Sequence, residues 1–105
     1  MFIAIVQIPL SKRPREAAIA AARQSAPTYT ALGARGLLKK YYLNGEAGGG
    51  GVYLWDSEAS ARAWYTPDWE TRMEAAFGAK PTVTYYDNHV VVDNEAGAVR
   101  VEGEG

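Results

Sequence analysis

The chain has 105 residues, a formal net charge of −1 and no cysteine, which bounds it to one domain with a modest core and excludes a disulfide framework, a zinc–thiolate site or a thiol nucleophile. Residues 1–50 hold seven Lys or Arg against two acids and residues 51–105 hold four against ten; this suits complementary surfaces within the fold or across an interface and leaves no nucleic-acid footprint. Lack of Cys points to a reducing, cytoplasmic setting, and the apolar opening FIAIVQIPL has no basic leader or cleavage site and falls far short of the ~20 apolar residues of a bilayer span, so it is read as a strand, with no membrane partner.

Phe2 to Ile8 alternates Phe2, Ala4, Val6 and Ile8 with Ile3, Ile5 and Gln7, so both faces are mostly apolar and need cover. Pro9 and the Ser11-Lys12-Arg13-Pro14 run end this strand, and a first helix, alanine-rich and capped near Ser11, is expected from about Arg13 to Gln24. Pro27 interrupts it, with a further turn from Tyr29 to Leu32 before Gly33 and Gly36 return the chain to a strand. Leu37 to Leu43 is rich in strand formers and meets Asn44-Gly45, a dipeptide suited to a tight reversal. The tetraglycine Gly48 to Gly51 lacks the Lys-Ser/Thr ending of a phosphate loop and is read as a flexible hairpin turn. Val52 to Trp55 then returns and runs into Asp56-Ser57, a cap for a helix that begins near Glu58.

Ala61, Trp64 and Tyr65 share one face of that helix. Pro67 breaks it, yet Thr66 can cap a second segment with Pro67 in its first turn, Trp69, Met73, Ala76 and Phe77 on one stripe, and Gly78 as terminator. Thr82 to Asp87 and His89 to Val92 are two further strand-like runs. From Asn94 the composition turns to Gly and Glu, and residues 94–105 are expected to form a flexible acidic tail behind a single domain of residues 1–93. The order is βαββαβ with a short extra strand, an α+β ferredoxin-like sandwich with an antiparallel sheet and both helices on one face. Its other sheet face stays apolar, and a second copy of the sheet is the simplest cover, which predicts a homodimer.

Gly36-Leu37, Lys40, the Glu46-Ala47-Gly48-Gly49 hairpin, Val52-Tyr53-Leu54-Trp55 before an acidic helix start, Ala59-Ser60-Ala61, Ala63-Trp64-Tyr65, Arg72-Met73 and Gly78 together resemble a mono-oxygenase family of the dimeric α+β barrel superfamily, related to the antibiotic-biosynthesis mono-oxygenases. The resemblance covers roughly residues 36 to 93. It departs from the family at Lys39 and Tyr42, where tryptophans are favoured, and in two additional hairpin glycines. It implies a dimeric α+β barrel and oxygenation of a small aromatic or polyketide-like molecule with no cofactor, neither metal, flavin nor haem. An electron-rich phenol or enol, deprotonated in an apolar pocket, can itself reduce O₂, so the protein's tasks are to bind it, take a proton and stabilise the anion.

Tyr42, Tyr53, Trp55, Trp64 and Tyr65 are candidates to bind such an aromatic ligand, against the alternative that they fill the core or a dimer interface. Lys40 and His89 are the catalytic candidates: Lys40 matches the family and alternates with Leu38 and Tyr42, and His89 is the sole histidine. The bland alternatives are a snorkelling lysine and an exposed histidine beside a turn. No His/Asp/Glu spacing suits a metal, and no Ser-His-Asp order is credible. Two other functions compete: a non-catalytic small-molecule binding module of the same fold, and a haem-binding or haem-degrading protein with His89 or a tyrosine as axial ligand.

Overall fold

A computed structural model of the chain describes residues 1–104. In chain order the elements are β1 (Phe2–Ile8), α1 (Arg15–Ala31), a 3₁₀ turn (Leu32–Arg35), β2 (Leu37–Gly45), β3 (Gly48–Trp55), α2 (Glu58–Trp64), α3 (Pro67–Phe77), β4 (Thr82–Asp87), β5 (Val90–Asp93) and β6 (Ala98–Val101). The first four strands in order β2-β3-β1-β4 make one antiparallel sheet, and β5 pairs with β6 as a separate hairpin. This is an α+β fold with a four-stranded antiparallel sheet and three helices.

Period-2 alternation decides which side of β1 is buried. Phe2, Ala4, Val6 and Ile8 join Tyr53 and Trp55 of β3 and Leu37 of β2 in one core, closed by Leu32, Ala61, Tyr65 and Trp69 from the helical layer. Ile3 and Ile5 lie opposite Leu54 and Val52 on the other face, where they are half-buried, and Tyr41, Leu43 and Tyr86 are exposed there. That second face has no layer of its own over it among the described residues.

The helix caps follow the sequence. Ser57 Oγ accepts from the Ser60 N–H at 3.1 Å, Thr66 Oγ1 accepts from the Trp69 N–H at 3.2 Å, and Gly78 ends α3 at φ +72°. The helices α2 and α3 are separate, divided at Tyr65 and Thr66 as Pro67 requires. Four expectations are corrected. First, α1 starts at Arg15 with Pro14 rather than Ser11 at its cap, and it continues through Pro27 to Ala31. The ring removes one N–H donor, but Tyr29 and Leu32 beyond it reach the core and hold the helix on its course.

Second, the chain reverses at Glu46-Ala47 rather than at Asn44-Gly45, which lie opposite Gly49 and Gly48. Third, the tetraglycine is no turn: it forms half of a central strand, with Gly51 between Tyr42 and Val6 and Gly50 between Leu43 and Gln7. Gly50 sits at φ +134°, and a Cβ there would run into the Val6 carbonyl oxygen, so glycine is required by both backbone and space. Fourth, Ala98–Val101 is a strand where only a tail was expected. Asp93 Oδ1 accepts from the Ala96 N–H at 3.0 Å and Gly97 takes φ +66°, which turns the chain back along β5.

Candidate functional site

The side chains of β2 are aimed by a bulge. Leu37 lies opposite Trp55, but Lys39 lies opposite Leu54 and Lys40 opposite Tyr53, so Leu38 is an extra residue. Simple alternation from Leu37 would send Lys39 and Tyr41 inward. The bulge shifts the parity by one and sends Lys40 and Tyr42 toward the helical layer instead.

There the continuation of α1 beyond Pro27 brings Tyr29 over β2. Lys40 Nζ lies 3.3 Å from the Tyr29 ring centroid, 4.0 Å from that of Tyr42 and 4.8 Å from that of Tyr53. The rings of Tyr29 and Tyr42 meet edge-on at 6.2 Å, and those of Tyr29 and Tyr53 at 5.7 Å. The Tyr42 hydroxyl is 2.8 Å from Ser25 Oγ, which in turn donates to the Ala22 carbonyl at 3.3 Å; with the serine proton so committed, Tyr42 is the donor of the pair. This fixes the outer wall of the cage to α1. Gly51, beside Tyr42 on the inner face, leaves room for the lysine stem and the Tyr53 ring.

A cavity of about 370 Å³ opens beside this cage, between α1, the 3₁₀ turn and β2, lined in part by Ala26, Tyr29, Leu37, Lys40 and Tyr42. Two lysines and two tyrosines are the titratable groups on its walls, and among the described residues no carboxylate lies within ion-pair distance of Lys40. Burial pushes the Lys40 ammonium down to about 7. The ring faces act in the opposite sense, since each good contact favours the ammonium by about 0.5–2 kcal/mol. Burial also raises the hydroxyl pKa values of Tyr29, Tyr53 and Tyr65, which leaves these phenols as neutral donors and Lys40 as the proton acceptor of the cavity.

The structure gathers Lys40, Tyr42 and Tyr53 in one place. Trp64 reaches it indirectly, edge-on to Tyr29 at 6.3 Å. Trp55 and Tyr65 belong to the core, where the Trp55 indole N–H donates to the Tyr65 hydroxyl at 3.2 Å and Tyr65 packs on Tyr53 and Trp69. His89 stands apart: it follows β4, the sheet edge opposite β2, with its side chain 67% exposed and Nδ1 3.6 Å from Glu102. Three strand spacings of about 4.8 Å separate the two edges.

Tyr29 and Ser25 are the members that the sequence reading missed. Their signal was present, because Ala18, Ala22, Ser25, Tyr29 and Leu32 keep one helical period straight through Pro27. Among the described residues no group of three or more His, Cys, Asp or Glu could hold a metal ion, and no helix is long and apolar enough to cross a membrane. No family model matches the chain, and no curated protein matches it.

Proposed function

We propose that the chain is a ferredoxin-like domain that pairs through its open sheet face into a dimeric α+β barrel, and that it works as a cofactor-independent mono-oxygenase on a small, electron-rich aromatic molecule. The order βαββαβ, the sheet order β2-β3-β1-β4 and the one-sided helical layer support the fold. The partly exposed Ile3, Ile5, Val52 and Leu54, beside exposed Tyr41, Leu43 and Tyr86, support the pairing, since a contiguous exposed apolar face often marks an interaction site.

The observation that carries the chemistry is Lys40 on a cavity wall, caged by three tyrosine rings with no acid beside it. As a free amine it takes the proton of a phenol or enol, and as the resulting ammonium it stays beside the anion it has made. The anion then reduces O₂. One oxygen atom enters the product and the other leaves as water, with all four electrons drawn from the substrate, as when an activated CH₂ becomes C=O.

Oxygen uptake with a panel of phenols, quinols and enolisable aromatic ketones tests this reading. Uptake that is stoichiometric with product and lost in Lys40→Met supports it. Saturable binding of the same compounds with no uptake replaces the oxygenase by a non-catalytic binding module. Sedimentation that gives a stable monomer at micromolar concentration overturns the barrel.

A further inference from the structure

We propose that Lys40 is a carbonyl-reactive amine, which condenses with a small aromatic aldehyde admitted to the cavity between α1 and β2 to give an imine. The inference shares its site with the oxygenase reading but requires neither oxygen nor turnover, so each can fail while the other stands.

A nucleophilic lysine needs a desolvated amine, no carboxylate to hold it as ammonium, and space for the electrophile. All three meet at Lys40. Its Nζ is enclosed by the rings of Tyr29 on α1, Tyr42 on its own strand and Tyr53 on β3. Among the described residues no carboxylate lines the cavity; Lys39 borders it, but the bulge turns its side chain to the opposite sheet face, and burial lowers the pKa of Lys40. The cavity of about 370 Å³ lies within the size range of small-molecule sites and has Leu37, Ala26 and the rings of Tyr29 and Tyr42 among its lining, beside polar groups. Flat ring faces beside the amine suit an aromatic aldehyde better than an aliphatic one.

In the step itself the nitrogen lone pair forms a bond to the carbonyl carbon, and the proton released from nitrogen passes to the carbonyl oxygen. The carbinolamine so formed loses water to leave the C=N bond. No oxidant or reductant takes part. Tyr29 and Tyr53, held as neutral phenols by burial, are donors available to the departing hydroxyl.

The test uses the whole protein at pH 7 under nitrogen with benzaldehyde, and adds cyanoborohydride, which delivers hydride to any imine carbon and fixes a benzyl group on the nitrogen. Peptide mass mapping then compares Lys40 with Lys12, Lys39 and Lys80, the other three lysines of the chain, and separates them from the α-amine of Met1. Lys40 is expected to be modified at least about tenfold more than Lys39, because burial lowers the pKa of Lys40 and each pK unit of lowering raises the free-amine fraction about tenfold while the ammonium still predominates. The preference should vanish when the protein is labelled in urea. A native ratio below about tenfold, or a preference that persists in urea, overturns the proposal.

Discussion

Gly51 leaves open the space that the Lys40 side chain crosses: a Cβ at Gly51 would stand 3.1 Å from Lys40 Cε and 3.0 Å from Tyr53 Cε1. The lysine is thus held in its cage from below by the absence of a side chain as well as from above by Tyr29. The substitution Gly51→Ala should push the lysine stem toward the cavity and cost about 1–2 kcal/mol of stability through overpacking. Urea unfolding measures the cost, and the labelling rate of Lys40 reports the displacement. If neither changes, the cage is looser than its contacts imply.

The lysine also makes stability depend on pH. Its pKa falls from 10.5 when unfolded to about 7 when folded, so between those values the unfolded chain binds more protons and stability rises with pH. Below pH 7 the whole penalty for burying the ammonium is present, and above about 10.5 none remains. Lys40→Met should therefore be more stable than the parent at pH 6, by about 1 kcal/mol once solvent screening and ring attraction are allowed for, and the difference should shrink at pH 9. Paired urea titrations at the two values check this. A lysine variant that is equally destabilised at both would show that the amine carries no burial penalty.

Pro27 is exposed within α1, where it deletes one backbone hydrogen bond and crowds the carbonyl of Arg23. Pro27→Ala should raise stability by about 1–3 kcal/mol, the gain being reduced by the greater freedom of the unfolded chain. Thermal unfolding gives the answer. A loss of stability would mean that the proline sets a bend on which the position of Tyr29 depends.

Adjacent glycines in β3 should behave unequally. Gly50 has φ +134° and no room beside the Val6 carbonyl, whereas a Cβ on Gly49 would meet its nearest neighbour, the Leu43 carbonyl oxygen, at an ordinary 3.6 Å. Gly50→Ala is expected to cost about 3 kcal/mol or more, and Gly49→Ala less than about 1 kcal/mol. Equal midpoints in urea for the two variants would contradict the strand assignment of this segment.

The fold was largely legible because strong local signals agreed with one another. Ser57 and Thr66 announce their helices, Gly78 ends one, and the alternation from Phe2 to Ile8 marks β1, although with both of its faces mostly apolar it does not say which one the helices will cover. Two local rules misled where tertiary pairing outweighed them. Pro27 marks a break, but the apolar period on either side of it kept α1 whole, and four glycines suggest a loop, but pairing with β2, and for Gly49 to Gly51 with β1 as well, made them a strand. The site was legible in part. Lys40, Tyr42 and Tyr53 were named, while their common face depended on the bulge at Leu38, and nothing in LLKKYY distinguishes the residue that will be left unpaired. Tyr29 was hidden behind the supposed break, and Trp55 and Tyr65 proved to satisfy each other inside the core.

The glycine half of β3 reverses the usual link between composition and mobility. Residues 48–51 have the most permissive backbone in the chain and, in the unfolded state, the widest range of shapes to lose. Once folded, Gly49, Gly50 and Gly51 are clasped between β1 and β2 and Gly48 pairs with β2, with Gly51 itself buried. Their amide hydrogens should therefore exchange with solvent far more slowly than those of Glu46 and Ala47 next door. Closing this seam carries the steepest entropic toll of any part of the sheet, so it is expected to zip late in folding.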